Sequence, residues 1–313
     1  MKLSVLICTH NPRADYLRRV LDALKAQTLP REQWELLLID NASSERLVDL
    51  WDLSWHPSAH HIREDELGKT PAALRGIKES AGELLVLVDD DNVLAPNYLA
   101  ESKAISERYA FLGAWGAGVI EPEFEIQPPS WAHNYFYLIA IRNVATNRWS
   151  NLIDTDITLP WGAGLSVRNE VAKVYANTAA KDPLRRSLDR IGSGLGCMGD
   201  LDLALAAVDL GMGTGLFPAL KMKHLMQAAR TQERYLLKLA EGNSYSGLIL
   251  AASRQRLAQI PRLNPLRRVL GKARRFLTMK PRSRRFLEAS IRGQQRALKD
   301  IQFLNSEKGI SQR

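Results

Sequence analysis

Three short apolar runs, LSVLIC at 3–8, WELLLI at 34–39 and LLVLV at 84–88, each stop at a cluster of polar turn residues, and helical patterns separate them. Between the first two, Leu17, Val20, Leu21 and Leu24 recur at helical spacing within 14–27. Further helices are expected over about 44–53 and 70–80, with a weak extended stretch near 60–63. Strands alternating with helices in this way build a mostly parallel sheet with crossover helices on its faces. In such sheets ligands collect outside the carboxyl ends of the strands. Thr9, Asp40 and Asp89–Asp91 fall at those ends.

The rest of the chain has a different texture. From about Gly113 to Arg168 it is rich in Gly, Pro and Trp and less periodic, which reads as a loop-rich insertion. A helix over about 201–210, stopped by Gly211, follows the glycine-rich approach GSGLGCMG, and a short strand then leads to Lys221–His224. On that helix Asp202, Ala206 and Asp209 share one narrow polar stripe, so Asp202 is expected to face water, whereas Asp200 at the N-terminal edge is level with Leu203, Ala204 and Ala207 and points inward. Helical patterns resume over 231–240 and 245–253.

The formal net charge is +9, which favours an anionic partner. Its location matters more than its size. Between Arg254 and Arg285 the chain carries Arg254, Arg256, Arg262, Arg267, Arg268, Lys272, Arg274, Arg275, Lys280, Arg282, Arg284 and Arg285 with no acidic residue. Leu257, Ile260, Leu263, Leu266, Val269 and Leu270 are interleaved, as in amphipathic helices resting on an anionic bilayer; a solvated basic hairpin or a self-association surface fits the same pattern. No nucleic-acid partner is expected, because stacking aromatics are scarce in that tract. The two cysteines, Cys8 and Cys197, have no metal-ligand spacing and suit a reducing compartment. The apolar run after Lys2 is too short for a secretory signal, and no run is long enough to span a bilayer. A cytoplasmic protein, peripheral on the membrane face, is the expectation.

Three adjacent carboxylates in VDDDN, 88–92, repel one another, and a divalent cation relieves that repulsion; oxygen ligands suit magnesium or manganese. In an extended segment Asp89 and Asp91 point together and Asp90 away. A solvated acidic turn is the competing reading. Thr9 and Asn11 after the first strand and Asp40 after the second have the polarity to grip a base and ribose, or serve as turn and helix-cap residues. Lys69 and Arg75 supply the positive charge a pyrophosphate needs.

The ordered series CTHN, IDNASS, ELGKTPAALRG and LVLVDDDNVLAPNYL resembles the nucleotide-binding half of family 2 glycosyltransferases of the GT-A fold, over residues 2 to about 239. The resemblance implies a Rossmann-like α/β domain at 1–240, with a nucleotide-sugar half to about 112 and an acceptor half from 113, followed by a basic helical C-terminal extension at 241–313. It implies an inverting, metal-dependent transfer from a nucleotide-sugar donor, UDP-linked by base rate, to a saccharide or lipid-linked acceptor in surface polysaccharide, lipopolysaccharide or glycolipid assembly. It places an Asp-x-Asp motif on Asp89 and Asp91, with Asp91, Asp89 and His224 as ligands to manganese or magnesium. Donor contacts fall on Thr9, Asn11, Asp40, Lys69, Arg75, Asp89 and Asp90. Asp200 becomes the catalytic base, and Trp161, Gly162, Ala163 and Gly164 the acceptor loop.

Two departures stand out: Leu74 replaces a frequent asparagine, and Gly199 replaces the glutamate that commonly precedes the base. A non-catalytic sugar-nucleotide-binding relative is one alternative. A sugar nucleotidyltransferase is the other, although CTHNPRAD lacks the glycine-rich basic loop that a triphosphate requires. By themselves Asp200 also reads as a helix cap, His224 as a structural histidine and Trp161 as a buried turn residue.

Overall fold

The computed structural model describes residues 2–152, 157–186, 188, 197–254 and 278–310, with side chains described as far as residue 303. In chain order the elements are β1 (Leu3–Thr9), α1 (Ala14–Lys25), β2 (Trp34–Asn41), α2 (Leu47–Leu50), β3 (Ala59–Glu64), α3 (Lys69–Glu79), β4 (Leu84–Val88), β5 (Asn92–Leu94), α4 (Tyr98–Arg108) and β6 (Leu112–Phe124). There follow β7 (Arg142–Asn143), β8 (Arg148–Ser150), β9 (Ser166–Arg168), α5 (Asn169–Ala179), α6 (Pro183–Arg186), α7 (Gly199–Asp209), β10 (Gly213–Met226), α8 (Glu233–Ser253) and α9 (Pro281–Ile310). Short 3₁₀ turns at Ser130–Ile139 and Ala228–Thr231 connect the later elements.

The three apolar runs form adjacent parallel strands, because each is fully buried and sandwiched between helices. The sheet runs β3-β2-β1-β4-β9-β6-β10-β5, with β7 beside β6 and β8 beside β10. Strands β3, β2, β1 and β4 are parallel; β9 runs antiparallel between β4 and β6, and β6 and β10 are again parallel.

Alternating side chains separate two cores. Leu3, Val5 and Ile7 pack with Leu17, Val20 and Leu24 of α1 and with Tyr98 and Leu99 of α4. Leu6, Leu37, Ile39 and Leu85 face Ala72 and Ile77 of α3, Val171 and Tyr175 of α5, and Leu203 and Ala207 of α7. Burying one such large side chain stabilises by about 1.5–3 kcal/mol. One buried polar group between strands is paired as follows: Glu35 accepts from Ser4 Oγ and from the Ala81 amide, and Ser4 Oγ accepts from Gly82.

Several expectations change here. The middle segment opens not with a loop but with Leu112–Phe124, a 13-residue strand in the body of the sheet; the described residues from 125 to 165 are mostly irregular, as expected. The strand leading to His224 has 14 residues rather than a few. The helix after β2 covers only Leu47–Leu50. The two helical stretches near the C-terminus are one helix of 21 residues, α8, which runs unbroken across residue 240.

Asp202 does not face water. It is fully buried, with Arg254 Nη2 at 2.7 Å and Arg185 Nη1 at 3.6 Å. A partner contributed by the end of α8 converts the polar stripe of α7 into an internal ion pair, which spacing within one helix does not reveal. Arg254 also binds Asp209.

Most of the basic tract, 255–277, lies outside the described residues. Its described ends are engaged on the protein: Arg254 as above, Arg282 and Arg285 with Glu233, and Arg284 with Glu288. Helix α9 packs along α8 through Phe286, Ala289, Ala297 and Ile301, and Phe286 stacks on Tyr135 with centroids 3.6 Å apart. No helix among the described residues is long and apolar enough to cross a membrane.

Candidate active site

The carboxyl ends of β1 and β4, the turns at Trp161 and Arg230, and the start of α7 surround a cleft of about 590 Å³. That volume suits a ligand of nucleotide size. Of the residues singled out from the sequence, Thr9, Asn11, Lys69, Asp89, Asp90, Asp91, Trp161, Gly162, Ala163, Asp200 and His224 line it.

Asp89–Asp91 form a turn rather than an extended strand end: the Asn92 amide donates to Asp89 O at 3.1 Å. Strand alternation therefore fails across the triplet, and Asp90 is not turned away; it lines the cleft and accepts from Thr9 Oγ1. Burial, with the neighbouring Asp91 charge, pushes the Asp90 carboxyl up to about 6. Asp89 Oδ1 accepts from Lys69 Nζ at 2.8 Å.

Asp91 is buried. Its Oδ1 accepts from Asn92 at 2.9 Å, and its Oδ2 lies 3.4 Å from His224 Nε2 and 2.9 Å from Arg230 Nη1. Burial raises the Asp91 carboxyl, but His224, Arg230 and Lys69 outweigh it and hold the group well below the usual carboxylate range. The antiparallel pairing of β5 with β10 sets His224 opposite Asn92, which brings the histidine to Asp91.

Asp200 lies in the first turn of α7, where its Oδ1 accepts from the Leu201 amide at 2.9 Å and its Oδ2 from the Gly162 amide. The approach is close: a Cβ on Gly162 would stand 2.8 Å from Asp200 Oδ2, so any side chain here has to displace the Asp200 carboxylate. Trp161 lines the cleft with one face already covered by the Arg142 guanidinium, 3.5 Å from the ring centroid. Arg142 also donates to Leu159 O at 3.0 Å, and burial pulls its pKa down to about 10.

Three expected site residues stand elsewhere. Asp40 accepts from the Ser43 and Leu47 amides and from Arg63, so it fixes the loop after β2, and its neighbour Asn41 is the residue that reaches the cleft. Arg75 lies more than a turn beyond Lys69 on α3 and binds Glu79 outside the cleft. Gly164 has φ +70° and its carbonyl accepts from Tyr98 Oη at 2.6 Å; it shapes the turn after Trp161 without lining the cleft.

Arg230, Arg142 and Asn41 were missed. Arg230 and Arg142 come from irregular or two-residue segments with no periodic pattern. Asn41 belongs to the polar strand end IDNASS, whose expected contact with a base and ribose falls on Asp40 rather than on its neighbour.

No group of three or more His, Cys, Asp or Glu side chains among the described residues forms a metal cluster. Asp91 and His224 nevertheless fit an octahedral cation. Two donors each about 2.1 Å from such an ion stand about 3 Å apart, close to the observed 3.4 Å. Magnesium-type sites commonly use one or two protein ligands, completed by water and substrate phosphate.

Residues 4–153 match the model of glycosyl transferase family 2. Over 92 residues the chain is 27% identical to glycosyltransferase AglE of Haloferax volcanii, covering 28% of this chain and 30% of AglE. Over 171 residues it is 23% identical to the poly(ribitol-phosphate) beta-N-acetylglucosaminyltransferase TarS of Staphylococcus aureus, covering 51% of this chain and 30% of TarS. These alignments thus span less than a third of either relative.

Among solved structures, residues 1–349 of S. aureus TarS in complex with UDP-GlcNAc align with a TM-score of 0.50 at 14% identity, over 92% of this chain and 79% of that one. GalNAc-T7 with UDP, GalNAc and Mn2+ aligns with a TM-score of 0.50 at 17% identity, over 92% of this chain and 56% of that one. The fold is thus that of the GT-A glycosyltransferases, and within it residues 4–153 are similar to glycosyl transferase family 2.

Proposed function

We propose that this protein transfers a sugar from a UDP-linked donor to an acceptor hydroxyl with inversion, using manganese or magnesium. The observation that carries the reading is the convergence of Asp89–Asp91, Lys69, His224 and Asp200 on one cleft. Lys69, His224 and Arg230 line the same cleft as the Asp200 carboxylate, which brings groups suited to a donor diphosphate and to an acceptor hydroxyl into one space.

Asp91 and His224 would hold the divalent cation, which when bound supplies positive charge against the diphosphate and eases its departure. Lys69, paired with Asp89, would meet the donor's phosphates. Thr9 and Asn41 line the base end. Asp200 takes the proton from the acceptor hydroxyl as its oxygen bonds to the anomeric carbon. The bond from that carbon to the diphosphate oxygen breaks, and the electron pair leaves with the nucleoside diphosphate. The two amides that bind Asp200 fix its orientation. Trp161, backed by Arg142, lines the cleft where an acceptor sugar would pack.

TarS acts on poly(ribitol-phosphate). A saccharide or lipid-linked acceptor in surface polysaccharide or glycolipid assembly is the acceptor class proposed here. The test is to incubate the protein with UDP-, GDP- and dTDP-linked sugars with manganese, magnesium or EDTA, and to measure release of the nucleoside diphosphate. Turnover of a UDP-sugar that EDTA abolishes is expected. Equal turnover in EDTA would remove the cation from the reading, and turnover of only a GDP- or dTDP-sugar would remove UDP.

A further inference from the structure

Arg230 sits where the proposed cation would sit. Its Nη1 is 2.9 Å from Asp91 Oδ2 and 3.2 Å from His224 Nε2, so a single guanidinium nitrogen bridges the two atoms that fit a cation. In the tautomer with its proton on Nδ1, His224 presents an Nε2 lone pair to Arg230; with the proton on Nε2 it faces Asp91 instead. A metal-ligating Nε2 needs the first tautomer. Arg230 therefore occupies both potential ligand atoms, while the buried His224 Nδ1 has no hydrogen-bond partner among the described residues.

The residue is also placed to leave. It lies on the short 3₁₀ turn Ala228–Thr231 between β10 and α8, its side chain is 21% exposed, and it lines the cleft. Asp91 and His224, by contrast, are only 8% exposed and lie at or within paired strands. The ligands are fixed, and the arginine sits at their mouth.

We infer that Arg230 and the divalent cation occupy the Asp91–His224 pair by turns: the side chain closes the cation site of the donor-free enzyme, and the arriving ion displaces it into the cleft. This rests on the proposed function and adds a built-in competitor to it. A guanidinium and a dication cannot share the space between two atoms 3.4 Å apart. Without the competitor, Asp91 would remain a buried carboxylate awaiting its counter-charge, and the donor-free enzyme would bind the ion more tightly.

The experiment measures free Mn2+ by electron paramagnetic resonance during titration of the full chain without donor. It compares wild type, Arg230→Met and Arg230→Gln, at low salt and in about 0.5 M KCl, where general repulsion between exposed charges is screened. Both variants should bind Mn2+ at least about tenfold tighter than wild type, since a charge-assisted contact no longer has to be broken, and the ratio should persist in KCl. Equal affinities would overturn the competition, as would a gain that disappears in KCl, and either result leaves the donor-bound cation intact. Failure of all three proteins to bind Mn2+ even with UDP present would overturn the cation reading itself.

Discussion

Replacing Asp200 by asparagine separates its two proposed tasks. The carboxylate accepts from two amides at once, Leu201 on Oδ1 at 2.9 Å and Gly162 on Oδ2. An asparagine has only one oxygen, so its NH₂ must face one of those N–H groups. One charge-assisted hydrogen bond is lost, about 1.5 kcal/mol at the lower end because the residue is half-buried and water can enter. That corresponds to a fall in Tm of a few degrees, on the order of 2–4 °C for a domain of this size. The loss of a general base costs far more in rate, about 10²–10⁴-fold, or about 3–5 kcal/mol of barrier. The assay is single-turnover transfer, with UDP affinity measured by calorimetry on the same protein. Expected are a modest shift in Tm, UDP affinity within about twofold of wild type and transfer reduced at least about a hundredfold. Transfer within about threefold of wild type, with the Tm shift present, would refute the base and leave Asp200 as a clasp on the Trp161–Gly162 turn.

Gly162→Ala pushes a methyl to within 2.8 Å of Asp200 Oδ2, so transfer should fall at least about tenfold with every carboxylate retained; wild-type transfer would show that the turn yields freely. Asp202→Ala strands Arg254, whose side chain is only 4% exposed, and should cost about 3 kcal/mol in denaturant unfolding; a loss below about 1 kcal/mol would mean that Asp209 suffices as its partner. His56 packs on Trp34, and burial pulls its pKa down from 6.5 to about 4. Its folded pKa lies below the unfolded value, so the unfolded chain binds more protons between these limits and stability falls as pH drops through that window. Between pH 7 and about pH 5 the wild type should lose about 1–2 kcal/mol that His56→Phe retains, measured by denaturant unfolding; equal losses would contradict this origin.

The first half of the fold was legible because its strands are apolar runs closed by turn residues, and α1 shows an unbroken helical stripe. β6 and β10 were not. Gly113, Gly116, Gly118 and Pro218 interrupt them, and burial on both faces removes the alternation from residues 112–118 and 213–217; only 219–224 alternates, and that is the short strand the sequence shows.

The acidic triplet, Lys69, His224 and Asp200 could be named because strand ends, helix starts and the family resemblance all fall on them. The errors have a common cause: the partner lies far away in sequence. Asp202 looked solvated because Arg254 is 52 residues on, and Asp40 looked available because Arg63 comes from the neighbouring strand. Asp90 was misplaced because alternation was carried one residue too far, into a turn.

The most direct test of the account is calorimetric titration of the wild-type protein with UDP, in Mn2+ and in EDTA, with Asp91→Asn beside it. UDP should bind at least about tenfold tighter in Mn2+, and Asp91→Asn should lose that gain while retaining the weaker metal-free affinity. Identical UDP affinity in Mn2+ and EDTA, or an undiminished gain in Asp91→Asn, would contradict the claim that this turn holds a cation against a diphosphate.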